Sequence, residues 1–312
     1  MKIAIMGSGG MGGYYGALLA NQGHEVTFIA RGAHLEAIQS EGLQIKSIFG
    51  DFIISPARAT DNPSQIGGVE LILFCTKTYD TDKAVQEIKP IIRKDTTLLS
   101  LQNGVDAVER IGKVIGLDHL IAGATWISST LAAPGVIKQV SDFRRVVIGE
   151  LKGGITPRVQ EIYEAFKTTG ITVEISEDIL KILWSKFMFI SAASGFGSLT
   201  RLPIAEYRSI PETRALIVSS MQEVEALARS SNIILDKNIV PQSLTFMDNA
   251  AAHIKASMQL DVEAGHRTEL EAMIGVIGRK SRELGIPTPV ADMIYATLLP
   301  IELKARGDRS PL

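Results

Sequence analysis

Within its first thirteen residues the chain passes from Lys2-Ile3-Ala4-Ile5-Met6 into Gly7-Ser8-Gly9-Gly10-Met11-Gly12-Gly13, and then into a helical pattern. Few local features restrict a fold as much as this one. The apolar run Lys2–Met6 has the length of a buried strand, Met11–Gln22 has helical spacing, and Glu25–Ala30 is a second strand. In such a strand–turn–helix–strand unit each glycine has a separate task. Gly7 permits the tight turn, Gly9 lets the backbone approach a ligand closely, and Gly12 brings the helix against the strand. The helix N-terminus adds unpaired N–H groups and positive dipole, which suit phosphate. A tight turn with no ligand is the competing reading, and the strand and helix around it argue for the pyrophosphate of a dinucleotide held by Gly7, Ser8, Gly9, Gly10, Met11 and Gly12.

The end of the second strand then separates the two nicotinamide dinucleotides. NAD-binding turns place an acid there for the ribose hydroxyls, about 20 residues on. Here the chain reads Ile29-Ala30-Arg31-Gly32, without an acid. Arg31 is either a surface loop cation or a planar partner for a 2′-phosphate, and the second reading favours NADP(H). Two further strand ends point to the same crevice of an open sheet: Lys77 after Glu70–Cys75, and Asn103-Gly104 after Thr97–Leu101. Taken singly, these are an ordinary lysine and an ordinary turn.

Short apolar runs alternate with helical patterns up to about residue 150, including a hairpin of Leu43–Ser47 with Asp51–Ser55 and later strands at Ile121–Trp126, Gly135–Val140 and Arg145–Gly149. Past Lys152-Gly153-Gly154 the spacing becomes helical throughout: Pro157–Thr168, Asp178–Ser194, Ile204–Ser230, Val240–Ala256, Val262–Leu284 and Pro289–Ala305. The expected architecture is α/β, a Rossmann-type doubly wound sheet over 1–152 followed by an all-helical domain over 153–312.

Composition excludes more than it assigns. With 32 basic and 34 acidic side chains the formal net charge is −2, which gives neither nucleic acid nor an anionic membrane a reason to bind. Cys75 alone cannot form an internal disulfide. Five glycines from Gly7 to Gly13 spoil the N-terminal run as a signal peptide, and no other run of 18 apolar residues is found, so a soluble cytoplasmic protein is expected. His24, His34, His119, His253 and His266 lack metal-ligand spacing, and no nucleophile-elbow motif occurs.

Two charged residues in the helical half lie out of place. Lys181 shares a face with Glu177, Asp178 and Ser185, as a solvated lysine does, whereas Lys186 has Ile182 and Leu183 one turn before it and Phe189 and Ile190 one turn after. Lys186 must snorkel, find a partner, or have its pKa lowered by desolvation; in the last case it is suited to protonate a ketone oxygen that receives hydride. Glu263, Arg267 and Glu271 are spaced as an i, i+4 surface ladder. Glu269 falls outside it, beside Met273 and Val276, either as a buried carboxylate or as a solvated flank residue.

Together, Gly7-x-Gly9-x-x-Gly12, Arg31, Cys75-Thr76-Lys77, Gln102-Asn103-Gly104, Pro134-Gly135-Val136, Trp184-x-Lys186, Ser257-Met258-x-x-Asp261 and Thr268-Glu269 resemble the ketopantoate reductase (2-dehydropantoate 2-reductase) family over nearly the whole chain. The resemblance implies NADPH-dependent reduction of 2-dehydropantoate to (R)-pantoate in pantothenate synthesis. It implies Lys186 as general acid, Asn103 beside nicotinamide and substrate, Ser257 at the substrate carboxylate, Glu269 near the ribose and active site, and Lys77 on the cofactor side. It also implies a helical domain able to form a homodimer. The family often carries asparagines four and eight residues after the lysine and three before the serine; this chain has Ile190, Ser194 and Ile254 there. Fewer amide donors leave a polar substrate partly unpaired, which keeps open a different branched 2-ketoacid, or a non-catalytic NADP-binding regulator.

Overall fold

A computed structural model describes residues 1–308. The chain divides into two compact units, one of Met1–Gln102 with Ala107–Ile179, the other of Asn103–Asp106 with the residues from Leu180 onward. The expected boundary at 152/153 therefore moves to 179/180. The reason is local: the helix after residue 156 and the strand beyond it complete the sheet of the first unit.

In chain order the first unit contains β1 (Lys2–Met6), α1 (Gly10–Asn21), β2 (Glu25–Ile29), α2 (Gly32–Glu41), β3 (Leu43–Ser47), β4 (Phe52–Ile54) and β5 (Arg58–Thr60). Next come β6 (Leu71–Phe74), α3 (Thr81–Ile88), β7 (Thr97–Ser100), α4 (Ala107–Ile115) and β8 (Leu120–Trp126). It ends with β9 (Ser129–Ala133), β10 (Val136–Gln139), β11 (Arg145–Glu150), α5 (Pro157–Lys167) and β12 (Thr172–Ile175). Eight strands form one sheet in the order β12-β11-β8-β7-β6-β1-β2-β5. All neighbours in it are parallel except β11 against β8. β6 and β7 are buried along their whole length, as parallel strands covered on both faces must be. The chain leaves β1 for β2 on one side and later returns to β6 on the other, so the topological switch point lies at the C-terminal ends of β1 and β6. A second sheet, β4-β3-β10-β9, contains the expected hairpin, β3 antiparallel to β4.

The second unit is helical: α6 (Ile179–Thr200), α7 (Ile204–Arg208), α8 (Pro211–Ser230), α9 (Ile239–Asn249), α10 (Ser257–Glu263), α11 (Val276–Leu284) and α12 (Pro289–Arg306), with a π-helical turn over Glu271–Gly275 leading into α11. Pro211 splits the long helix expected over Ile204–Ser230, since a proline is accommodated in the first turn of a new helix and not inside an old one. Gly265, at φ +70°, separates α10 from the π-helical turn. That break also removes the expected Glu263–Arg267–Glu271 ladder: Glu263 pairs with Lys255 at 2.8 Å, and Glu271 pairs with Arg279. With 22 residues, α6 is long and apolar enough to cross a membrane by length and composition, although no such stretch was expected. Lys181 and Lys186 interrupt a strict apolar count but leave the mean hydropathy high. Trp184, Phe187, Met188, Ala192 and Phe196 of α6 are buried in the core of this unit, which is how a central bundle helix arises.

Candidate active site

The glycine turn lies at the switch point, and its glycines meet different surroundings. Gly7 has φ +94°, and a Cβ on it would stand 2.7 Å from the Thr76 nitrogen, so both conformation and space exclude a side chain. A Cβ on Gly12 would stand 2.2 Å from the Gly7 oxygen, which is the close helix–turn approach the motif requires. At Gly9, the N-cap of α1, a Cβ would meet nothing within 4 Å. The first turn of α1 holds no acidic residue, so its dipole is not offset there. Closed packing at Gly7 and Gly12 with open space at Gly9 fits a cradle for a pyrophosphate. Ser8 offers only its backbone to a ligand, because its hydroxyl is buried and donates to the Ile29 carbonyl at 3.0 Å.

Arg31 is the N-cap residue of α2, and its guanidinium lies 2.5 Å from the Glu87 carboxylate of α3. With the arginine side chain 52% exposed, such a pair contributes little, about 0–1 kcal/mol, and a phosphate can displace it. Lys77 stands three residues beyond Phe74, the last residue of β6. Gln102, which the sequence offers only as part of the Gln102-Asn103-Gly104 turn, joins the ends of β6 and β7: its amide donates to the Thr76 carbonyl at 2.9 Å and to the Thr81 hydroxyl at 2.9 Å. Burial pushes the Cys75 thiol up to about 12, so it offers no thiolate for covalent chemistry.

In the helical unit, two residues 83 positions apart meet. The Lys186 ammonium donates to the Asn103 side-chain oxygen at 2.8 Å. Desolvation lowers the lysine to about 8 from an ordinary value of 10.5, while the negative charge of Glu269 acts in the opposite direction. Of the fates open to Lys186 on the apolar stripe, the structure contains two, a partner and a lowered pKa. Glu269 is a buried carboxylate, 7% exposed, not a solvated flank residue. It comes directly after Thr268, whose N–H and hydroxyl donate to the Glu302 carboxylate of α12 at 2.8 and 2.6 Å. Glu302, itself 1% exposed, also accepts from Arg306 one turn on. The sequence signal for this brace is the i, i+4 pair Glu302/Arg306 in the last turns of α12. Ser257 is exposed at the start of α10 and shares no hydrogen bond with Lys186, Asn103 or Glu269 among the described residues. Ile190 and Ile254 pack against the apolar core, and Ser194 is fully buried, so none of the three supplies an amide donor.

Comparison with known proteins gives the family of the whole chain. Residues 3–153 match the family described as ketopantoate reductase PanE/ApbA, and residues 178–302 match its C-terminal domain. A 2-dehydropantoate 2-reductase of Pyrococcus horikoshii is 29% identical, with 99% of this chain and 100% of the relative covered. The structure of a PanE/ApbA family ketopantoate reductase from Ralstonia eutropha superposes with a TM-score of 0.90 at 30% identity, covering 98% of this chain and 100% of the other. A D-mandelate dehydrogenase solved with NADH superposes at 0.87 with 25% identity, over 97% and 99% of the two chains. The chain, an oxidoreductase with a dinucleotide-type sheet and a helical second unit, therefore belongs to the ketopantoate reductase PanE/ApbA family.

Proposed function

We propose that the protein uses NADPH to reduce a branched 2-ketoacid, with 2-dehydropantoate as the leading substrate and (R)-pantoate as product, and that Lys186 is the general acid. The observation that carries the reading is the Lys186–Asn103 hydrogen bond at 2.8 Å together with the lowered lysine. The residues that would hold the cofactor are Gly7, Ser8, Gly9, Gly10, Met11 and Gly12 at the pyrophosphate, Arg31 at the 2′-phosphate, Lys77 on the same side, and Asn103 and Glu269 toward the ribose and nicotinamide. When bound, the nicotinamide supplies a hydride.

The chain's own residues then have distinct tasks. With a pKa of about 8, Lys186 is mostly protonated near neutrality and yet parts with its proton readily. As the carbonyl carbon gains hydride, the oxygen takes the proton from the Lys186 Nζ, which leaves a hydroxyl on the product and a neutral amine on the enzyme. Asn103 orients that amine through its side-chain oxygen. Glu269 keeps the ammonium form accessible by opposing the desolvation. Ser257, exposed at the head of α10, is assigned to the substrate carboxylate. A cytoplasmic homodimer belongs to the same proposal, by analogy with the family.

A second reading is favoured by one observation: Ile190, Ser194 and Ile254 stand at the family's asparagine positions without an amide, and Ile190 and Ile254 pack among apolar side chains. These residues suit a 2-ketoacid with a more apolar branch than 2-dehydropantoate. The D-mandelate dehydrogenase with the same fold extends the comparison toward bulkier acids. The deciding experiment tracks NADPH and NADH oxidation with 2-dehydropantoate and a panel of branched and aromatic 2-ketoacids. Highest kcat/KM for 2-dehydropantoate with NADPH supports the first reading, and highest kcat/KM for an apolar ketoacid supports the second. NADPH binding without turnover on any acid sinks both and leaves a dinucleotide-binding regulator.

A further inference from the structure

One histidine near the glycine turn has both ring nitrogens engaged, by partners far away in sequence. His34, in the first turn of α2, lies 2.8 Å from the Ser8 carbonyl through Nε2 and accepts the Gly135 N–H through Nδ1 at 3.0 Å. Since Nδ1 is the acceptor, the proton of the neutral ring is on Nε2, and that nitrogen donates to Ser8. Gly135, at φ +73° in the turn between β9 and β10, is tied further by its carbonyl, which accepts from Gln44 at 2.8 Å. His34 thus joins the glycine turn to the second sheet.

The direction of this bond has a consequence for the turn. In a trans peptide the C=O and the following N–H point in opposite directions. A donor fixed on the Ser8 carbonyl therefore aims the Gly9 N–H away from the His34 ring. Gly9 is the N-cap of α1, its own carbonyl accepts from Gly13 at 2.7 Å, and its Cβ position faces open space. Its N–H is among the donors that a helix N-terminus offers to an anion.

We propose that His34 is a positioning residue for the dinucleotide: by holding the Ser8 carbonyl, it sets the Ser8–Gly9 peptide so that the Gly9 N–H is presented to the pyrophosphate. The inference rests on the reading of the glycine turn as the pyrophosphate site. Because the pyrophosphate is common to both dinucleotides, His34 acts equally on NADPH and NADH, unlike Arg31.

The test is the dissociation constant of each dinucleotide, read from nicotinamide fluorescence, for the parent and for His34→Ala, His34→Asn, His34→Gln and Gly9→Ala. Asn retains an acceptor in the place of Nδ1 but loses the donor to Ser8, whereas Gln carries an N–H to the place of Nε2. Ala and Asn are expected to weaken both dinucleotides by the same factor, about tenfold, while Gln stays within about twofold of the parent. In turnover the loss falls on the KM for the dinucleotide rather than on kcat. Parent-like affinity in Ala and Asn with a weakened Gly9→Ala overturns the role of His34 and leaves the site intact. Parent-like affinity in all four overturns the reading of the turn itself. Should Ala fail to fold, the contrast of Asn with Gln decides, and affinity retained by Asn but lost by Gln also overturns the proposal.

Discussion

The glycine turn and the surroundings of Lys186 are built on opposite plans. At the turn, the geometry is backbone: Gly7 and Gly12 leave no room for a Cβ, Gly9 leaves open space, and the residues that matter lie within six positions. Around Lys186 the geometry is side chain: Asn103 meets it across 83 positions, Glu269 acts on its charge, and Glu302 braces the residue next to Glu269. A backbone site is specified by a few local residues, and where it is closed, as at Gly7 and Gly12, it has no room for added bulk. A side-chain site is assembled by the fold, and each member can be removed without rebuilding the others.

Substitutions that break the second plan should spare the first. Lys186→Ala is expected to lower kcat by roughly 10²–10⁴-fold, the usual worth of a positioned acid, with dinucleotide affinity unchanged. Steady-state turnover beside fluorescence titration checks this, and near-parental kcat would remove Lys186 as the acid. Arg31→Ala should weaken NADPH by roughly 10–100-fold while leaving NADH alone, as the loss of a charge-assisted bond of about 1.5–3 kcal/mol requires. Equal losses for both dinucleotides would mean that Arg31 does not face a 2′-phosphate.

Within the turn, two glycines should separate stability from binding. Gly12→Ala drives a Cβ into the Gly7 carbonyl and is expected to cost about 1–3 kcal/mol, visible as a lowered Tm. Gly9→Ala meets no protein atom and should melt like the parent while binding either dinucleotide about tenfold more weakly. A pair that behaves alike in both measurements would contradict the cradle. The smallest effect concerns protonation. Lys186 donates as the ammonium, so kcat should fall as pH rises through about 8. The Glu269 charge favours the ammonium, so Glu269→Gln should move that limb to lower pH. An unmoved limb would uncouple the two residues.

Legibility in the sequence divides along the same line. The unit β1–α1–β2 could be read to within a residue, because strand length, glycine spacing and helical periodicity all agree there. β9 escaped notice because Ser129–Ala133 is an exposed strand without an apolar run, and β5 because three residues carry no period. The helix expected over Val262–Leu284 kept its apolar spacing across Gly265, where only the positive φ ends it. Lys186 and Glu269 drew attention as charges on apolar faces, but their relation to Asn103 was set by tertiary packing. His34 gave no signal at all: it is a histidine on a half-exposed helix, and its partners lie 26 and 101 positions away.

The four residues Asn103–Asp106 group with the helices although they sit between β7 and α4 in the chain. The helical half is therefore not a single cassette. A chimera that joins the segment after Ile179 to a foreign dinucleotide-binding half would leave Asn103 behind with the donor of the first half, and Lys186 would arrive without its hydrogen-bond partner. Exchange of substrate range between relatives by recombination at that joint requires the host to contribute an equivalent asparagine after its own counterpart of β7.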